Sequence, residues 1–85
     1  MPEISRFYGI IIKMYFNDHA APHFHAFYGD HEALNIVTLA LIAGKLPPRA
    51  LGLVTEWAAL HQDELLATWG RARRDEPLDS IAPLP

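Results

Sequence analysis

The stretch Gly44-Lys45-Leu46-Pro47-Pro48 marks the point where the hydrophobic period of this sequence changes. Before it, apolar residues alternate. Ile10, Ile12, Met14 and Phe16 fall on one side of an extended chain and Ile11, Lys13 and Tyr15 on the other, which is the two-residue period of a pleated strand. After it, Ala50, Leu53, Val54, Trp57, Leu60 and His61 recur at spacings of three and four, leaving Arg49, Thr55 and Glu56 toward water, as in an amphipathic helix. The prolines explain why the switch falls here. Proline has no N–H to give a sheet ladder, but it suits the first position of a helix, where that N–H would have no partner. A helix therefore starts near Pro48.

Upstream of the switch, residues 17–22 (Asn-Asp-His-Ala-Ala-Pro) are rich in turn formers and read as a connection. A strand over residues 23–28 follows, Gly29-Asp30 makes a tight hairpin turn, and the chain returns over residues 31 to 37 or 39. Residues 38–43 form an apolar run, read as a short strand although periodicity cannot separate it from a helix. Downstream, one unbroken helix from 48 to 74 would be a rod of about 40 Å, longer than so small a domain covers. A break is expected near His61-Gln62. Asp63 and Glu64 then fall in the first turn of a second helix and Arg71, Arg73 and Arg74 at its end, each sign matching the helix dipole. Leu65, Leu66, Trp69 and Ala72 form its apolar stripe. Residues 75–85 carry prolines and no period, so they read as a tail that Ile81 and Leu84 can dock.

Strands first and helices second, without alternation, imply an α+β fold. The expectation is a small antiparallel sheet of three to five strands over residues 4–43, followed by a C-terminal helical hairpin (48–61 and 63–74) packed on one face. Trp57 and Trp69 should be buried between the layers.

A chain of 85 residues has room for one domain, residues 1–85, and with 51% hydrophobic residues it can attempt a core. The absence of cysteine makes a reducing compartment, the cytoplasm, its expected location. Met1-Pro2-Glu3-Ile4-Ser5-Arg6 does not have the basic-then-apolar order of a signal peptide, and no run approaches the ~20 apolar residues of a membrane span. A net charge of -3 offers no bulk attraction to phosphate backbones. RNA binding would need a local patch, and Arg71, Arg73 and Arg74 form the dense one. There is no glycine-rich phosphate loop, no nucleophile elbow and no thiol nucleophile.

Chemistry, if present, concentrates in Asp18-His19-Ala20-Ala21-Pro22-His23-Phe24-His25. On a strand, His23 and His25 point to one face and Phe24 into the core. Three readings are open. Two imidazoles at i and i+2, joined by His19 or Asp18 from the preceding loop, could share a divalent metal such as zinc, and an open position on that metal would activate water. The same side chains could instead be structural, on a half-exposed sheet face. They could also serve as a recognition surface, or as acid and base in metal-free phosphodiester cleavage. His31, at the hairpin turn, and His61, at the helix break, read as structural.

Several stretches together resemble DUF4160, a widespread bacterial family of small uncharacterised proteins. They are Met1-Pro2-Glu3-Ile4-Ser5-Arg6-Phe7-Tyr8-Gly9, Tyr15-Phe16-Asn17-Asp18-His19, Pro22-His23-Phe24-His25-Ala26, Gly44-Lys45-Leu46-Pro47, and then Trp57, His61, Glu64-Leu65 and Trp69. The family's histidine motif usually reads Asp-His-x-Pro-Pro-His-Phe-His; here Ala21 replaces the first proline, and every candidate ligand is kept. Where the family tends to carry a Thr-Gly-Glu turn, this chain has Thr38-Leu39-Ala40, so the glycine signal for a tight turn between the last two strands is lost. The resemblance implies a small interaction module, one half of a toxin-antitoxin-like pair whose other half is a small protein of the DUF2442 kind. The competing expectation is a hydrolase or ribonuclease built on His19, His23 and His25, with or without metal. Association with further copies of itself is open to either.

Overall fold

The computed structural model describes residues 3–16, 21–36 and 41–85. Five strands, β1 (Glu3–Phe7), β2 (Ile10–Lys13), β3 (His23–Tyr28), β4 (His31–Ile36) and β5 (Leu41–Gly44), precede two helices, α1 (Pro48–Leu60) and α2 (Gln62–Arg73). Each strand pairs antiparallel with the next, and spatial order equals chain order. This is the α+β arrangement that the change of period at residues 44–48 implies. The break between the helices falls at His61, the last residue before α2.

One strand boundary has no counterpart in the alternation pattern. Tyr8 and Gly9 form a two-residue turn between β1 and β2, and both have positive φ, 48° and 79°. That pair of angles is the type I′ hairpin turn, whose twist matches the strands it joins. The β3–β4 hairpin turns on Gly29-Asp30 as the sequence implies, with Gly29 at φ 57°. Of the strand read over residues 38–43, residues 41–43 belong to β5, which runs on to Gly44, and Thr38-Leu39-Ala40 lie outside the described residues.

The alternation of β2 and β3 settles which face is core. Ile10, Ile12, Phe24 and Ala26 are sealed from solvent, whereas Ile11, Lys13, His25 and Phe27 on the other face are partly exposed. Met14 stays buried beyond the end of β2, but Phe16 does not follow it inside. On the core face, Trp57 of α1 lies between Phe7 and Phe24, with ring centroids 5.4 and 5.8 Å away. The helices contribute Ala50, Val54, Trp57 and Ala58, then Leu65, Thr68, Trp69 and Ala72. Both stripes are rotated from the sequence reading, so that Leu60 and Leu66 stand exposed at 63% and 48%. Ala58 and Thr68 take the inward positions. Thr68 can be buried because its hydroxyl donates to the Glu64 carbonyl 2.8 Å away within the helix.

The tail docks as Ile81 and Leu84 imply; both are buried. A bulge between Glu3 and Ser5 leaves Ile4 as the extra residue of β1, its carbonyl displaced from the ladder. The N–H of Ile81 supplies the missing partner at 2.7 Å. Next to it, the Trp57 indole N–H donates to the Ala82 carbonyl at 2.9 Å, and the Tyr8 hydroxyl donates to that of Pro85. The tail is thereby bonded to β1 at Ile4, to α1 at Trp57 and to the β1–β2 turn at Tyr8.

Candidate functional site

The face of β2 and β3 turned away from Trp57 carries the residues that sequence reading singled out, together with others it did not connect to them. Register places Lys13 opposite His25 and Ile11 opposite Phe27, and β4 adds Glu32 opposite Phe27. Rings meet across these pairs. Tyr15 approaches His25 edge-on at 4.3 Å, Phe27 lies nearly parallel to His25 at 6.4 Å, and the Lys13 ammonium sits 5.1 Å from the centre of the Phe27 ring. Strand period links His25 to Phe27 as firmly as it links His23 to His25, so Phe27 was available to inspection. Tyr15 and Lys13 required the register between strands.

His23 and His25 share this face as expected, with ring centroids 5.4 Å apart, and Phe24 between them points into the core. Their surroundings differ. His23, at the start of β3, is buried against Trp69 of α2, 5.0 Å between ring centres, where the sequence reading has it half exposed. Trp69, itself buried, supplies that contact from a different element. Each ring is oriented through Nδ1. His23 donates from Nδ1 to the Ala21 carbonyl at 2.8 Å, and His25 from Nδ1 to the Glu32 carboxylate at 3.1 Å. A nitrogen facing an acceptor-only oxygen carries the proton, so Nε2 is the nitrogen of each ring suited to a metal or a transferred proton.

Asp18 and His19, the other candidate ligands, lie outside the described residues. Among the described residues no group of three histidine, aspartate or glutamate side chains stands close enough to hold a metal ion. The His61 side chain makes no capping bond to either helix. Its Nδ1 instead meets the Glu64 carboxylate at 2.6 Å, and its ring lies 5.6 Å from Trp57.

The charges around the face are mixed. Glu3 and Arg6 on β1 pair through two hydrogen bonds of 2.7 and 3.1 Å, and the Arg6 guanidinium holds the Glu3 carboxyl below its ordinary range. With Lys13 and Glu32, the face carries acid and base in alternation rather than a field of one sign. The arginine patch of α2 is similarly balanced by the tail. Arg74 pairs with Glu76 at 3.0 Å, pulling that carboxyl down as well, and Arg71 stands 3.9 Å from Asp79. No helix among the described residues is long and apolar enough to cross a membrane.

No match to the chain was found among curated proteins or among solved structures. The family model for a domain of unknown function, DUF4160, matches residues 9–70, from the β1–β2 turn to the middle of α2. That span holds the histidine strand, the Pro47-Pro48 switch and both tryptophans, which are the features that build the core and the site. The chain belongs to the DUF4160 family.

Proposed function

We propose that this domain is a cytoplasmic protein-interaction module of a bacterial cell, half of a toxin-antitoxin-like pair, whose recognition surface is the sheet face of Ile11, Lys13, Tyr15, His25 and Phe27. The observation that carries the reading is the contrast between faces. One side of β2 and β3 is sealed by the helices, while the other presents a contiguous aromatic and aliphatic row, partly exposed and ringed by charges of both signs. Apolar centres with polar rims are the anatomy of protein interfaces. The balanced charge supports a protein partner over RNA, because a polyanion requires a net positive track. The partner is a small protein of the DUF2442 kind, as the family resemblance implies. Co-expression of the tagged chain with a DUF2442-type protein from the same genome tests this. A complex with the wild type that is lost with Phe27→Asp is the expected result; a Phe27→Asp chain that remains folded and still binds would remove the sheet face from the proposal.

A second reading, a histidine-based hydrolase using His19, His23 and His25, is favoured by one observation. Both described imidazoles donate from Nδ1 to a carbonyl or carboxylate, the outer contacts that orient metal-ligating histidines. Calorimetric zinc titration of the wild type and of His23→Ala with His25→Ala decides it. Stoichiometric uptake by the wild type alone supports the reading, and equal weak uptake by both proteins removes its metal form.

A further inference from the structure

We infer that the cleft at the turn end of the sheet docks a proline-rich segment of another protein, extended as polyproline II and flanked by an acidic residue. The cleft has a volume of about 250 Å³ and is lined by Tyr8, Tyr28, Pro47, Arg49, Ala50 and Leu53. It lies where both two-residue hairpin turns approach the start of α1, away from the aromatic row of the proposed sheet-face interface.

Tyr8 supplies the first argument. At φ 48° it holds a left-handed conformation that costs a bulky side chain about 1–2 kcal/mol, in a turn whose positions favour Asn or Gly. Asparagine there would lack a flat ring and a hydroxyl at its far end. The ring is 55% exposed, and the hydroxyl already donates to the carbonyl of Pro85, in the chain's own Pro83-Leu84-Pro85. That bond uses the hydroxyl's one proton and holds the ring in place, so what Tyr8 offers an incoming segment is a fixed, exposed ring.

Tyr28 forms another wall. Its ring packs against Gly9, where an added Cβ would come within 3.4 Å of it, and it remains 38% exposed. Two tyrosine faces with Pro47 and Leu53 make an aromatic-lined groove of the type that receives proline rings, and a preformed polyproline helix loses little freedom on docking in so shallow a site. Charge supplies the flanking acid. Arg49 lines the cleft, is exposed, and has no ion-pair partner among the described residues.

The test is a titration of the ¹⁵N-labelled full chain, followed by amide shifts, with a synthetic proline-rich peptide ending in Glu-Glu and a matched peptide ending in Lys-Lys. Shifts should concentrate at Gly9, Tyr28, Ala50 and Leu53, with the Glu-Glu peptide the tighter ligand. Arg49→Glu should weaken that peptide about tenfold, equivalent to 1.4 kcal/mol, and Tyr28→Ala should abolish its binding without loss of fold. No shift at millimolar peptide, shifts centred on Ile11 and Phe27, or equal binding of a peptide with alanines for prolines would each overturn the inference. Phe27→Asp should leave the titration unchanged, so failure of the cleft and failure of the sheet face are separate results.

Discussion

The hydroxyl of Ser5 is sealed from solvent and, among the described residues, has no hydrogen-bond partner. The bulge in β1 put it there, because Ile4 and Ser5 are buried in succession where strict alternation would send one outward. An unsatisfied buried hydroxyl costs roughly 1–3 kcal/mol, so Ser5→Ala should stabilise the domain by about 1 kcal/mol. The urea midpoint should rise with the slope unchanged; a lower midpoint would show that the hydroxyl contributes a bond. Residue-scale features of this kind were not legible in the sequence, since nothing in Glu3-Ile4-Ser5-Arg6 announces a bulge. The shared face of His23 and His25 was legible, because it follows from strand period alone. The burial of His23 was not, because it depends on Trp69, a residue of a different element brought there by tertiary packing.

At the scale of elements, two glycines make opposite predictions. Gly52 lies inside α1 with open space around it, so Gly52→Ala should stabilise by about 0.5–1 kcal/mol through helix propensity. Gly44 ends β5 at φ 80°, and a Cβ there would collide with the Glu32 carbonyl and lie 2.9 Å from the Ala33 Cα of the neighbouring strand. Gly44→Ala should therefore destabilise strongly, lowering the melting temperature where Gly52→Ala raises it. Both helices were readable to within a residue or two, because their signals are local: proline at the start of α1, acids in the first turn of α2 and arginines in its last. The rotation of their buried stripes, which leaves Leu60 and Leu66 exposed, was not. Spacing defines a stripe's width, but the partner surface decides its centre. The β1–β2 turn was missed for a similar reason, since a tyrosine in a left-handed conformation gives no turn signal of its own.

Across the whole molecule, the tail ties residues 81–85 to β1 through Ile81 and Ile4, to α1 through Ala82 and Trp57, and to the β1–β2 turn through Pro85 and Tyr8. Ile81→Ala removes a buried side chain at this junction and should cost about 2–5 kcal/mol. If the tail covers the strand edge, hydrogen exchange should accelerate in β1 before it does in β3; uniform acceleration would mean that the tail only adds bulk to the core. The junction also sets an order of events during synthesis. β1 leaves the ribosome before residue 81 has been made, and the sheet can pair from β1 to β5 while the Ile4 carbonyl and the edge beside it remain an open template for other chains. Translation up to residue 81 is thus an interval of exposure that ends only when Ile81 can reach Ile4. A chain halted within that interval would keep a sticky strand for good, and would be a substrate for chaperones and proteases even with its sheet and both helices complete.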